Sequence, residues 1–255
     1  MTTILIRTAA CLPVLAGVCF AQQGDEPKAH PLTPAVAWAE RAADTAAKLN
    51  GYTATFTKEE VIGGQRLKSQ IAVKFRPEPF SVYMKFATPN AGREVIYVKG
   101  RNNGNMKVRD QTGVTSWLGT IDVDPNGERA RSASRYPITR MGMERLARGV
   151  VEQWTEEMKY GEVEVKSYPN HTFAGRPVLV IETSHPQRRR QFKFAMTRLW
   201  IDKETMLPVR KQQFDFPRQP GGKPVPVEDY AYTNVRTDVR FAEIDFSTKN
   251  PAYKF

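Results

Sequence analysis

The chain has 255 residues, 40% of them hydrophobic, enough for one sandwich- or barrel-sized domain with a core. It carries 38 Lys and Arg against 27 Asp and Glu, a formal charge of +11 at pH 7, so anionic partners suit it better than cationic ones. Both of its 2 cysteines fall within the first 21 residues, which excludes disulfide and thiolate chemistry from the remainder.

Met1–Arg7 bears one positive charge, Thr8–Phe20 is small and apolar, and Ala21 precedes polar Gln22-Gln23. This is the layout of a secretory signal peptide over residues 1–21, its apolar run shorter than the ~20 residues that cross a bilayer. A periplasmic or otherwise extracytoplasmic protein is expected, with no nucleic acid as partner. No later run is long enough to span a membrane, so any membrane contact is expected to be peripheral. Residues 22–33 read as a polar tail and 34–255 as a single domain.

A helix is expected from Pro34 to Leu49, capped by Thr33, with Trp38, Ala42, Ala46 and Leu49 on one face. From Tyr52 the period becomes two. Leu67, Ile71, Val73 and Phe75 point one way and Lys68, Gln70, Lys74 and Arg76 the other; Phe80, Val82, Met84 and Phe86 resume the alternation after Pro77-Glu78-Pro79. Such alternation marks antiparallel strands with one wet face. Tyr52–Val61 and Arg93–Lys99 are further strands, and Met106–Arg109 with Val114–Leu118 reads as a hairpin about Gln111-Thr112-Gly113.

A second helix is expected from Thr139 to Tyr160, with Met143, Leu146, Ala147, Val150, Trp154 and Met158 as its apolar stripe. Strands return at Val163–Tyr168, Pro177–Thr183, Gln191–Ile201, Pro208–Phe216 and Glu228–Val239. The fold class is α+β, a sheet covered by helices.

Motifs for catalysis are missing: there is no nucleophile elbow, phosphate loop or dinucleotide fingerprint. His30, His171 and His185 are scattered, without a second ligand at metal-site spacing. Asp122-Val123-Asp124-Pro125-Asn126-Gly127 matches the start of a calcium loop, but Ala133 stands where the bidentate carboxylate belongs, which favours a Pro-Asn-Gly turn. Adjacent carboxylates such as Glu59-Glu60 and Glu156-Glu157 point in different directions. No metal, no cofactor and no enzymatic activity are expected. Arg188-Arg189-Arg190 is the densest basic run; it is either a solvated hairpin end or a grip for an anionic group.

The stretch Leu199-Trp200-Ile201-Asp202-Lys203-Glu204-Thr205-Met206-Leu207-Pro208-Val209-Arg210 resembles the hairpin of the LolA/LolB/RseB-like superfamily of envelope proteins. Pro79–Phe86 with Gly92–Val98 is similar, more narrowly, to the bacterial domain-of-unknown-function family numbered fifteen seventy-one. The resemblance implies a strongly curved antiparallel sheet, an incomplete LolA-like barrel, with helices covering its concave face and a cavity used for acyl chains or for sensing envelope components. On that basis Leu67, Ile71, Val73, Phe75, Phe80, Val82, Met84 and Phe86 are expected to line the concave face, joined by Trp38 and Trp154 from the helices. Arg93 and Arg188–Arg190 are candidates for an anionic head group or partner at the mouth. The leading expectation is a carrier or binding module for a lipid or lipidated protein; the rival is an envelope interaction module with a filled core.

Overall fold

The alternation that starts at Tyr52 becomes a single antiparallel sheet. The computed structural model describes residues 29–219 and 221–255; the expected signal peptide and most of the polar tail lie outside them. Among the described residues the strands are β1 (Tyr52–Ile62), β2 (Gln65–Arg76), β3 (Ser81–Thr88), β4 (Glu94–Val98), β5 (Met106–Arg109) and β6 (Thr120–Val123), followed by β7 (Glu164–Phe173), β8 (Arg176–Ser184), β9 (Met196–Asp202), β10 (Pro208–Asp215) and β11 (Val225–Arg236). Helices α1 (Thr33–Ala47), α2 (Glu128–Arg131) and α3 (Met143–Glu157) complete it.

The spatial order is β6-β5-β4-β3-β2-β1-β11-β10-β9-β8-β7. Two meanders therefore meet at β1 and β11, and the first and last edges, β6 and β7, stay unpaired with each other. The sheet is curved and unclosed, the expected incomplete barrel. This order has a consequence for the roof. The chain leaves β6 at one edge and must enter β7 at the other, so residues 124–163, with α2 and α3, cross the sheet. The crossing is the cover.

The cover is tight over one half. Trp154 and Val150 of α3 pack with Ala35, Ala39 and Ala42 of α1 on Ile181, Leu199 and Ile201 of β8 and β9. The alanines let α1 lie close. Trp154 is fully buried, its indole N–H donating 3.0 Å to Thr183 Oγ1. Several expectations shift by a few residues. Thr33 is the first helical residue and caps nothing, and Trp38 is half-buried at the rim of the α1–α3 cluster, its ring under the Arg41 guanidinium. Thr139 lies in a short 3-10 turn, and α3 starts after Gly142. Val114–Leu118 is no strand: β5 pairs instead with Thr120–Val123. Gln191–Ala195 likewise precedes β9 rather than belonging to it.

On the convex face, Tyr83, Ile96 and Val98 are covered by the chain after β11 through Phe246, Tyr253 and Phe255. Tyr253 stacks on Tyr83 at 4.0 Å, and Lys74 pairs with Asp245 at 2.7 Å. Between β9 and β10 the chain turns at Asp202–Thr205, with Asp202 Oδ1 accepting from the Glu204 and Thr205 backbone N–H groups at 3.0 and 2.9 Å.

Candidate functional site

Strand register lays the concave face out in transverse rows. The outermost runs Thr197, Gln213, Glu228, Glu60, Leu67 from β9 to β2. The next runs Leu199, Lys211, Tyr230, Lys58, Ser69. Then the chemistry changes: Tyr232, Phe56, Ile71 and Phe86 form one row, and Val73, Met84, Val95 and Val108 another. The floor thus passes from charged and amide groups to aromatic and aliphatic ones across a few residues of each strand.

Between this floor and the cover lies a cavity of about 1050 Å³, at the top of the ~300–1,000 Å³ range of small-molecule sites. Its floor includes Phe56, Leu67, Ile71, Met84 and Phe86; its roof includes Tyr136, Ile138, Met141, Leu146 and Gln153. Over β1–β6 the cover is the run from Pro125 to Gly142, irregular apart from short α2 and one 3-10 turn, and the cavity lies beneath it and the adjoining face of α3.

The polar rows are cross-linked. Lys58 Nζ donates to Glu60 Oε2 and to the Ala133 carbonyl, both at 3.0 Å. Glu60 also accepts from the Tyr230 hydroxyl and, at 3.2 Å, from the Arg135 backbone N–H. Lys211 Nζ lies 2.8 Å and Arg135 Nε 3.4 Å from the carboxylate of Glu228. Glu60 is 1% and Glu228 2% exposed, and these cations and donors satisfy carboxylates that water does not reach. Burial, then Glu228, pushes the Tyr136 phenol up to about 12. Burial and the Glu228 and Glu60 carboxylates raise Tyr230 further, so both phenols remain donors.

A second polar chain enters from the roof. Gln153 Nε2 donates 2.8 Å to Glu157 Oε1 and 3.0 Å to Thr197 Oγ1. Because a carboxylate only accepts, this fixes the Gln153 amide, whose oxygen must then accept from Gln213 Nε2 at 2.6 Å. Gln213 Oε1 is left buried without a partner. His185 Nδ1 lies 2.9 Å from the Glu162 carbonyl, and its Nε2 lies 3.3 Å from Glu157 Oε2. The carbonyl accepts the Nδ1 proton; when Nε2 is protonated as well, the ring is a cation facing the Glu157 carboxylate. The Nε2–Oε2 contact is misaligned for a hydrogen bond; its attraction is that of an ion pair. Burial opposes the charge, but Glu157 and Glu162 outweigh it and raise the His185 pKa.

Of the residues singled out in the sequence, Leu67, Ile71, Met84, Phe86 and Arg93 line the cavity. Val73, Phe75, Phe80 and Val82 face the same side yet belong to the packed core. The reason is local. The backbone at Gly142 settles onto the Phe75 ring, where a Cβ would stand 3.0 Å from the ring carbon, and the Met143 N–H donates to the Tyr52 hydroxyl at 3.2 Å. Trp154 is core, and Trp38 packs against the α1–α3 cluster. Arg188 and Arg189 are exposed and paired with Asp215 and Glu162; Arg190 is exposed too. None of the three lines the cavity, although Gln191 and Lys193 do. Arg93 is pinned by buried Asp110, whose ionisation burial opposes but Arg93 and Thr115 hold below the usual range.

His30 bonds the Tyr160 carbonyl at 2.9 Å and fastens the start of α1 to the end of α3. His171 is exposed beside Tyr168. The acidic run after β6 forms a turn in which Asp124 Oδ1 accepts from the Asn126 N–H at 2.9 Å. Among the described residues, no group of three or more His, Cys, Asp or Glu is placed to hold a metal, and no helix is long and apolar enough to cross a membrane.

Solved structures with related chain paths include MucB, 17% identical, with a TM-score of 0.48. It covers 84% of this chain, which spans 62% of MucB. The lipoprotein LppX of Mycobacterium tuberculosis is 13% identical over 82% of this chain and 98% of its own, with a TM-score of 0.46. A LolA superfamily protein, NE2245 from Nitrosomonas europaea, is 9% identical over 83% and 96%, with a TM-score of 0.34. No curated protein sequence matches the chain. The model of the family described as protein of unknown function DUF1571 matches residues 49–255, and the chain belongs to that family.

Proposed function

We propose that the protein is an exported, non-enzymatic binding or carrier protein for an amphiphile, either a lipid or the acyl chain of a lipidated partner. One observation carries this reading: a cavity of about 1050 Å³ whose floor is aliphatic and aromatic at one end and polar at the other. A filled interaction module needs no such space. The apolar rows take the chain, gaining about 25 cal/mol per Å² buried. Lys58, Lys211 and Gln213 then face the head group. The carboxylates of those rows are already engaged by cations and phenols, which suits orientation of a ligand rather than proton abstraction. The leader-like residues 1–21 support an extracytoplasmic site of action.

The test is direct. Protein stripped of lipid by an organic wash is titrated with a fluorescent long-chain fatty acid. Saturable binding at one or two sites is expected, weakened at least tenfold in Met84→Trp or Leu146→Trp, which fill the cavity. Absence of saturable binding, or binding indifferent to both substitutions, contradicts the reading.

A further inference from the structure

Among the described residues five large hydrophobic side chains are notably exposed, and three of them fall within five positions of one loop: Val114 at 89%, Trp117 at 80% and Leu118 at 40%. Isolated exposed apolar residues are ordinary; a cluster containing a tryptophan on a loop tip is not. We propose that the β5–β6 loop, residues 111–119, is a docking tip for a lipid bilayer with an anionic surface.

The loop does not leave these side chains in water through slackness. Thr115 Oγ1 donates to Asp110, the Ser116 carbonyl accepts from Arg109 Nη1 at 3.0 Å, and Gln111 Nε2 reaches the Lys254 carbonyl at 2.8 Å. Gly113 and Gly119, at φ +82° and +71°, supply the turns that side-chain-bearing residues resist. Backbone and polar groups are fastened inward, and the valine, tryptophan and leucine are left outward. Tryptophan prefers the interface between water and acyl chain, where its ring is buried and its N–H stays wet.

Charge selects the membrane over an apolar protein partner. The chain carries a formal +11, and basic side chains near anionic lipid are drawn to its surface. Arg109 at the loop base spends one N–H on the Ser116 carbonyl and makes no ion pair among the described residues, while the Arg129 charge at the cavity edge acts in part on buried Asp110. Glu128 and Asp124 nearby offset part of that charge.

Asp110 ties the tip to the cavity, for it holds Thr115 on one side and lines the cavity with Arg93 on the other. A tip seated in a bilayer therefore brings the aliphatic end of the cavity, with Val95, Val108 and Val123, to the membrane side. Membrane docking itself does not depend on the cavity reading; only its use in loading or delivering an amphiphile does.

The experiment uses the full mature chain and vesicles of phosphatidylcholine, alone or as three parts to one of phosphatidylglycerol. Cosedimentation is expected with the mixed vesicles, weaker with the neutral ones, and reduced about tenfold or more in Val114→Ser/Trp117→Ser, whose melting temperature is unchanged because both residues are exposed. The fluorescence of Trp117 shifts blue on binding and is quenched by brominated lipid, and both signals vanish in Trp117→Phe, which keeps the other three tryptophans. Equal vesicle binding by the double variant overturns the proposal. So does a tip-dependent dimer or protein complex without vesicle binding.

Discussion

Glu60 and Lys58 stand two residues apart on β1 and point the same way into the cavity. A buried pair contributes little net stability while intact, but losing one member strands a charge, at about 3–5 kcal/mol. Glu60→Ala also strips the nearer of two acceptors from Tyr230, leaving Glu228 at 3.4 Å. It is expected to lower the melting temperature by roughly 6–20 °C, whereas Lys58→Met/Glu60→Leu keeps most of the stability; calorimetry on the two variants checks this. His185 gives a pH signature. Its folded pKa is raised above the unfolded value of about 6.5. The associated stabilisation is therefore complete below about 6.5 and lost as pH rises through the folded value. Melting temperatures measured across that window are expected to fall for the native protein, and His185→Gln is expected to flatten this part of the profile. An unchanged slope in the variant removes His185 as its source.

At the level of elements, three strands change character together. β1 reads Tyr52, Ala54, Phe56, then Lys58, Glu60 on its inward face; β11 reads Tyr232, Tyr230, then Glu228; β10 reads Val209, then Lys211, Gln213. Each strand's period was legible in the sequence, as was the apolar face of β2 and β3. The polar rows were not, because they exist only once the register sets Lys58 beside Tyr230 and Glu60 beside Glu228. The signal available was the continuation of the alternation beyond Phe56, where Lys and Glu occupy positions that alternation reserves for the inside. The hairpin misassigned to Val114–Leu118 has a similar cause: Val, Trp and Leu have strand propensity, but here they serve an exposed tip. Gly142 governs where α3 begins. It holds φ +125° against the Phe75 ring, so Gly142→Ala is expected to cost about 1–3 kcal/mol and loosen the packed end of the concave face; denaturant titration reads the loss.

For the molecule as a whole, topology explains the cavity better than composition does. A chain that must pass from edge to edge can roof a sheet with regular helix over one half and irregular segment over the other. The antiparallel strands and the two covering helices were legible from periodicity, and the curvature only as what the family resemblance of the hairpin motif implies. The division between filled and open halves was not, since it depends on how closely residues 125–142 settle on β1–β6. The segment after β11 was unreadable for a related reason: Phe246, Tyr253 and Phe255 follow no period because they pack on the convex face from irregular backbone. Deleting residues 241–255 is expected to uncover Tyr83, Ile96 and the fully buried carboxylate of Glu94, lowering stability sharply and raising binding of a hydrophobic dye.

The central claim is that the space under residues 125–142 holds an acyl chain. Native mass spectrometry of the protein purified from a lipid-rich host measures this most directly. The account predicts a discrete lipid adduct, lost on delipidation, regained with added fatty acid, and missing from Leu146→Trp. A protein that runs at its bare polypeptide mass throughout, and takes up no lipid when offered it, would contradict the account.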